Sequence, residues 1–487
     1  MQRPVLSVMT VARSFDQLRL NRMNRFGSVL FSRLSQMNIV IGIAILLTLM
    51  LSDSPFAPGE INVGFRVCGL VLLTAIAPFT ATLLVFLTER KPSDERSLHS
   101  EVATARINSS IHTVIWLISS LAIVTALGWQ DVVRQTLNLK SWILLDEALI
   151  VAPMLISLIV SWAIFFEQQS HSINPIRRRV AMFKYVGLRC KVYLLMVLIP
   201  IILVVLLKDL WPYLSELSPA FAGLVCICSL IALLSLMPVA IRFIWSNRPI
   251  TENEGRAGLL ALCDAHKVGV NDIRVWDTSH QIVNALVAGI IPKFRVLMVT
   301  DLLLRTFPQH ELKAIILHEA GHVRLRHLPT RIGFILLPAL ALLAMEMDPN
   351  GSMNAWFSQV GVTKVAGLLM GLTFFAYVIG VTAWLSRNME FEADLYAVGA
   401  FNKDINTSDS RELANAMADA LLRFAEQNPD QYSRRSTTHP SLLERIEVIK
   451  KFVTDQASAS KFQAQFQTQQ FLLAFGMLVV MIGLIVV

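Results

Sequence analysis

Six uncharged apolar runs dominate this sequence, at 67–87, 111–129, 148–166, 219–241, 365–386 and 469–487. Each is long enough to cross roughly 30 Å of hydrocarbon as a helix, and in lipid every backbone N–H and C=O must be satisfied within the segment itself. Three shorter runs lie at 37–51, 192–207 and 332–345. Two of them carry a proline, Pro200 and Pro338, so each reads either as a span or as a re-entrant or buried helix. The expected count is nine spans, with eight or seven as the fallback. A composition of 54% hydrophobic and 16% charged residues cannot be covered by one soluble surface, which places the chain in a membrane.

Charges between the runs orient them, because cytoplasmic loops hold the lysine and arginine excess. Arg13, Arg19, Arg22 and Arg25 precede the first run, Arg90, Lys91 and Arg96 follow the second, and Arg177, Arg178, Arg179 and Lys184 follow the fourth. The alternate loops hold far fewer: Arg66, Arg134, Lys140 and Lys208. This pattern predicts a basic cytoplasmic N-terminus (1–36), a six-span transmembrane region (37–241), a first polar segment (242–331), a membrane hairpin (332–386), a second polar segment (387–468) and a C-terminal transmembrane segment (469–487). Both polar segments then face the cytoplasm.

The formal net charge of +8 therefore reads as membrane topology, and no basic patch interleaved with aromatics points to nucleic acid. The stretch "RSFDQLRLNRMNRFGSVLFSRL" reads as a positive-inside flank or as an amphipathic helix on anionic lipid. A cleaved signal peptide is not expected, since the first apolar run begins beyond residue 35. Cys68, Cys190, Cys226, Cys228 and Cys263 follow neither a disulfide framework nor zinc-ribbon spacing.

In the polar segments, "TENEGRAGLLALCDAHK" has the periodicity of an amphipathic helix. "DIRVWDTS", "IVNALVAG" and "FRVLMVTD" read as short strands. "PQHELKAIILHEAGHVRLRH", "SRNMEFEADLYAVGA" and "SRRSTTHPSLLERIEVIKKF" are helical again. On a helix, His318 and His322 stand one turn apart on one face, so both imidazoles reach a single ion at the ~2.0 Å that zinc prefers. Glu319 is placed beside them to take a proton from water. Ile315, Ile316 and Leu317 supply a buried flank, and Ala320 and Gly321 leave room for a close neighbour.

A catalytic zinc site wants a third protein ligand. A histidine six residues after His322 is absent, because Leu328 stands there, and His327 is one residue short and reads as a polar residue flanking the membrane. Glu390 and Asp394, again spaced four apart, form the better pair: one carboxylate on the ion, the other fixing a ligand histidine. Glu392 competes with Glu390 but points about 200° away around the helix.

Taken together, these residues resemble the integral-membrane zinc metallopeptidases of the HtpX and CAAX prenyl protease family. The resemblance covers roughly residues 250–450 and rests on the order of "VNALVAG", "HELKAIILHEAGH", "SRNMEFEAD" and "STTHPSLLERI", with a membrane hairpin between the second and third blocks. It implies one Zn2+ per chain on His318, His322 and Glu390, Glu319 as general base and Asp394 holding a ligand histidine. It also implies that His439 helps stabilise a tetrahedral intermediate, and that Asn284, Ala285 and Leu286 belong to a strand that pairs with an extended substrate. Leu286 departs from the aromatic residue the family often has there, and six spans ahead of the protease region exceed the usual HtpX-like number.

The expected fold is a multi-span α-helical membrane protein with a mainly α, small-sheet metallopeptidase domain of zincin type. The expected function is zinc-dependent endoproteolysis of membrane or membrane-associated proteins, for quality control, at the cytoplasmic face of a bacterial inner membrane. Partners are then protein or peptide substrates and the bilayer, with no nucleic acid. The alternatives are a CAAX-type processing protease and a signal-transducing membrane protein with a regulatory zinc site; the few charges inside the spans weigh against a transporter.

Overall fold

The structure, a computed structural model, describes residues 34–50, 62–89, 98–140, 142–169, 175–278, 282–335, 363–401, 407–427, 432–453 and 455–486. Most of the expected N-terminal segment 1–36 and the stretch 336–362 of the expected hairpin lie outside the described residues. The chain is mainly helical with one small mixed sheet, and it divides into two compact units, Arg33–Leu233 and one whose described residues lie within Leu234–Val487.

In the first unit the described residues form α1 (Leu34–Met50), α2 (Val63–Glu89), α3 (Leu98–Thr125), α4 (Leu145–Gln169), the basic α5 (Pro175–Arg189) and α6 (Met196–Leu217). α5 passes through a π-helical turn, Cys190–Leu195, into α6, so the short run at 192–207 belongs to a 40-residue helical stretch, Arg178–Leu217. Trp116, Met154, Leu158, Trp162 and Tyr193 form the centre of the unit. Outward-facing side chains are large and apolar, with Leu72 68% and Phe79 70% exposed, the arrangement a helix takes when its surroundings are lipid. Among the described residues four helical stretches are long and apolar enough to cross a membrane: Val63–Thr88, Ile107–Thr125, Leu145–Phe166 and Arg178–Leu217. A fifth joins them if the two halves of α7 (Pro219–Ile244) count as one span.

The second unit holds β1 (Asn247–Pro249), α8 (Arg256–Ala265), β2 (Asp272–Trp276), β3 (Ala285–Ala288), β4 (Val296–Thr300), α9 (Asp301–Thr306) and α10 (Gln309–Arg324). After the gap in description come α11 (Thr363–Ala397), α12 (Thr407–Gln427), α13 (Leu442–Phe452) and α14 (Gln456–Val486). The three expected strands are all present, and Asn247–Pro249 adds a fourth that the sequence analysis did not identify. The stretch expected to be one helix from Glu252 breaks at Gly255, which takes φ 84° between a short 3-10 turn and α8.

Strand order is β1-β2-β4-β3, with β2 parallel and β3 antiparallel to β4. All five residues of β4 are buried, as a central strand with both faces covered requires, and β3 lies at the end of the order. α10 packs between this sheet and the other helices. Ile315, Ile316 and Ala320 meet Leu297, Val299 and Leu303, while Ala314 joins Leu395, Met417, Leu421 and Ile446. The buried Glu311 carboxylate of α10 receives two hydrogen bonds from Arg423 of α12, both 2.8 Å, which fixes the rotation of α10.

β3 is anchored at its far end by Arg295, a 9% exposed guanidinium that donates to the carbonyls of Gly289, Ile290 and Val268. Replacing it by methionine keeps the aliphatic stem but leaves three carbonyls without their donor. Arg295→Met is expected to cost about 2–3 kcal/mol of stability, read from chemical denaturation in detergent, with the midpoint restored in part by Arg295→Lys.

Candidate metal centre

Two helices bring the candidate donors together. α10 carries His318, Glu319 and His322, and α11 carries Glu390 and Asp394. They meet at Gly321, where an added methyl would lie 3.1 Å from Ala393 Cα, 3.1 Å from Tyr396 Cβ and 3.2 Å from the Ala393 carbonyl oxygen. A methyl there would be tighter than ordinary packing, and the facing backbone would have to give by a few tenths of an ångström to admit it.

Across this contact the donor atoms converge. Nε2 of His318 and Nε2 of His322 are 3.1 Å apart, and they stand 3.6 and 3.5 Å from the two Glu390 oxygens. Bonds of ~2.0–2.1 Å to a tetrahedral ion put ligand atoms about 3.3 Å from one another. His318, His322 and Glu390, with one ligand atom each, all lie within 4.8 Å. The two histidines and the carboxylate therefore fit a divalent cation in both spacing and chemistry. Nδ1 of His318 is 2.9 Å from Asp394 Oδ1, so in the neutral ring this nitrogen carries the proton and Nε2 offers the lone pair.

The surroundings settle the charge of each group. Burial alone raises the Glu390 carboxyl, yet the charges of His439, Arg445 and His318 outweigh it and hold the group at about 2. Burial opposes a charged His318, but the hydrogen bond and charge of Asp394 win and raise it. His322 is driven well below its ordinary value by burial, then by His318 and His327. Burial pushes the Glu319 carboxyl up to about 7, against the pull of His318. Its Oε2 accepts from the Val287 backbone N–H at 3.3 Å.

Other residues singled out in the sequence also gather here. His439 Nε2 is 3.7 Å from Glu390, and the ring is about half exposed, with Nδ1 2.9 Å from Thr438 Oγ1. Just before β3, Asn284 is spent on β4: its carbonyl accepts from Thr300 N at 3.0 Å, and its N–H donates to Thr300 Oγ1 at 3.0 Å. Antiparallel alternation then turns the backbone of Leu286 inward as well and leaves that of Ala285 and Val287 on the open side.

Two of the groups around the donors, Arg445 and Arg331, were not singled out in the sequence, and two more, His327 and Glu392, were weighed there as ligands. Arg445 of α13 clasps Asp394 through Nε (2.8 Å to Oδ2) and Nη2 (2.6 Å to Oδ1) and reaches Glu390 at 3.4 Å. Arg331, 3.3 Å from the Met389 sulfur, turns its charge on Glu390 and Glu319. His327 and Glu392, set aside as unsuited to binding the ion, are both buried, with His327 2.7 Å from His322 and 3.2 Å from Glu392. A signal for Arg445 does exist: it falls among Leu442, Ile446 and Ile449, on the apolar face of an amphipathic helix, where a cation needs a buried partner.

Residues 259–453 match peptidase family M48. Protease HtpX of Legionella pneumophila (strain Lens) is 29% identical over 185 residues, which make up 36% of this chain and 60% of that protein. A CAAX prenyl protease 1 homolog of Arabidopsis thaliana is 26% identical over 263 residues, 49% of this chain and 56% of the plant protein. The chain thus spans about 60% of the length of the curated HtpX relatives it matches. Among solved structures, Ste24p of S. mikatae superposes with a TM-score of 0.50 over 82% of this chain and 98% of its own, at 16% identity, a likeness of fold. The M48 match and these relatives make the chain similar to the HtpX and CAAX prenyl protease family over its second unit, and with the apolar helices they support an integral membrane protein.

Gly321→Ala separates the crossing of the M48 helices from the donors themselves. The methyl is expected to push α10 and α11 apart, to cost about 1–3 kcal/mol as overpacking does, and to weaken cation binding while every donor remains. Differential scanning fluorimetry and titration with a chromophoric chelator measure the two effects; wild-type values in both would remove the crossing from the account.

Proposed function

We propose that the protein is a zinc metalloendopeptidase embedded in the membrane, in which His318, His322 and Glu390 hold one Zn2+ per chain. The convergence of two imidazole nitrogens and a carboxylate beside Glu319 carries this reading. When bound, the ion supplies Lewis acidity toward water and toward the scissile carbonyl. Glu319 is the general base: its raised carboxyl, poised near neutrality, accepts a proton from water and returns it to the departing amine. Asp394, clamped by Arg445, keeps His318 in the tautomer that offers Nε2. His439 stands on the exposed side of Glu390, where its ring meets the oxyanion of the tetrahedral intermediate.

The substrate binds extended along β3. Ala285 offers its outward N–H and carbonyl and Val287 its outward carbonyl, the Val287 N–H being taken by Glu319, which is the pattern of β-augmentation, and side-chain contacts at Asn284 and Leu286 set preference. The charge distribution of the sequence supports a cytoplasmic active site, and resemblance to HtpX supports quality control of membrane proteins in a bacterial inner membrane. CAAX-type processing is the second reading, supported by the Arabidopsis relative. Nucleic acid has no part in either.

Base and ligand roles separate experimentally. Glu319→Gln is expected to keep zinc and fold while losing about 10²–10⁴ in cleavage rate, scored on an unfolded membrane substrate beside metal analysis of the same preparation. Near-normal cleavage by that variant refutes the mechanism. Glu390→Ala is expected to lose zinc that Glu392→Ala, with all three donors in place, still binds, at reduced affinity; the reverse pattern would exchange their roles.

A further inference from the structure

We propose that His327 and Glu392 are positioning residues for His322, a dyad in which a buried carboxylate sets the tautomer and direction of the second histidine donor through an intervening imidazole. The proposal rests on the metallopeptidase reading above. α10 ends at Arg324, and Arg326 takes φ 57°, a left-handed conformation that redirects the chain before helix resumes over 327–335. The turn carries His327 back beneath the metal helix. There it is 2% exposed, with its ring edge-on to His322 at 4.9 Å between centroids and 74° between planes.

Donor and acceptor roles then run in one direction. A carboxylate only accepts, so the 3.2 Å contact to Glu392 Oε2 assigns the proton of neutral His327 to Nε2. Nδ1 of His327 is thereby an acceptor, and the partner 2.7 Å away, Nδ1 of His322, must be the donor. That leaves Nε2 of His322 as a bare lone pair, aimed at the point that Nε2 of His318 and Glu390 share. Both histidine donors thus end on a carboxylate of α11: Asp394 directly for His318, and Glu392 through His327 for His322. Neither nitrogen of His327 is turned to the donor cluster, which argues against a ligand role for it. Glu392 also forms part of the wall of a cavity of about 240 Å³ together with Arg324 and Arg326, so its charge is not isolated in an apolar interior.

Partners of this kind are worth about 10–100-fold in metal affinity. The test is Zn2+ affinity of the full-length protein in detergent, by competition with a chromophoric chelator, together with the ligand-field spectrum of the Co2+ form. His327→Phe fills the volume without an acceptor and is expected to weaken zinc about 10–100-fold and to shift the cobalt bands. His327→Gln, whose amide can both accept from His322 and donate to Glu392, is expected to recover most of that loss. Unchanged affinity in His327→Phe overturns the dyad, as does His327→Gln binding no better than His327→Phe. If His327→Phe does not fold, judged by the thermal midpoint of the metal-free protein, Glu392→Leu and Glu392→Gln decide: Leu is expected to bind markedly more weakly than Gln, and equal affinities overturn the proposal. Wild-type and His318→Ala run in the same assay keep the two levels apart. A wild-type protein without a chelatable ion sinks the metal reading and the dyad together, whereas normal wild-type binding with a silent His327 sinks only the dyad.

Discussion

The backbone contact between α10 and α11 at Gly321 and Ala393 governs everything else at the centre. On each helix two polar residues flank the contact at the same offsets, three before and one after: His318 and His322 around Gly321, Glu390 and Asp394 around Ala393. Side chains four apart on a helix stand one above the other. Two such pairs facing across a crossing without a side chain have to meet. A single methyl at the crossing would therefore spoil four side chains at once, although it touches none of them.

Such a meeting is electrostatically costly, since removing each charge from water costs several kcal/mol even after relaxation. Glu390 and Asp394 are 5% and 0% exposed, and the half-buried Glu319 adds a third carboxylate. Arg445 and Arg331 answer with two guanidiniums. Apolar side chains of the same volume would hold α10 to α11 at lower cost, so the arrangement makes sense as chemistry and not as stability.

Most of the candidate site was legible because it obeys helical periodicity. The spacing within "HEAGH" and within "EFEAD" survives folding unchanged, and the glycine in the first announces a close neighbour. Apolar runs such as 67–87 and 148–166 were legible for a similar reason, since nothing shorter or more polar is stable in lipid. His327 was misjudged by the same rule. Extrapolating α10 through Leu325 and Arg326 points it obliquely away, and only the left-handed Arg326, a residue type with no preference for that conformation, turns it under the helix. Glu392 followed the helical rule and does face away from Asp394, but what waits on that side comes from a turn. β1 escaped notice because three residues, one of them Pro249, carry no alternation to read.

The groups that fix the donor geometry are not themselves donors. Arg445 acts on Asp394, Arg423 on Glu311, Gly321 on the interhelical distance and Thr300 on the start of α9, where it accepts from Leu303 N. Apart from Arg445, which also reaches Glu390 at 3.4 Å, none of them touches the position where the two Nε2 atoms and Glu390 converge. In small zinc domains the ion's bonds supply the folding free energy and the site does not exist without them. Here the apolar contacts of Ile315, Ile316 and Leu395, with the paired charges around them, define the site from outside. Under the proposed reading, that separation leaves Glu319, His439 and the edge strand β3 as the three elements that a bound peptide would meet first.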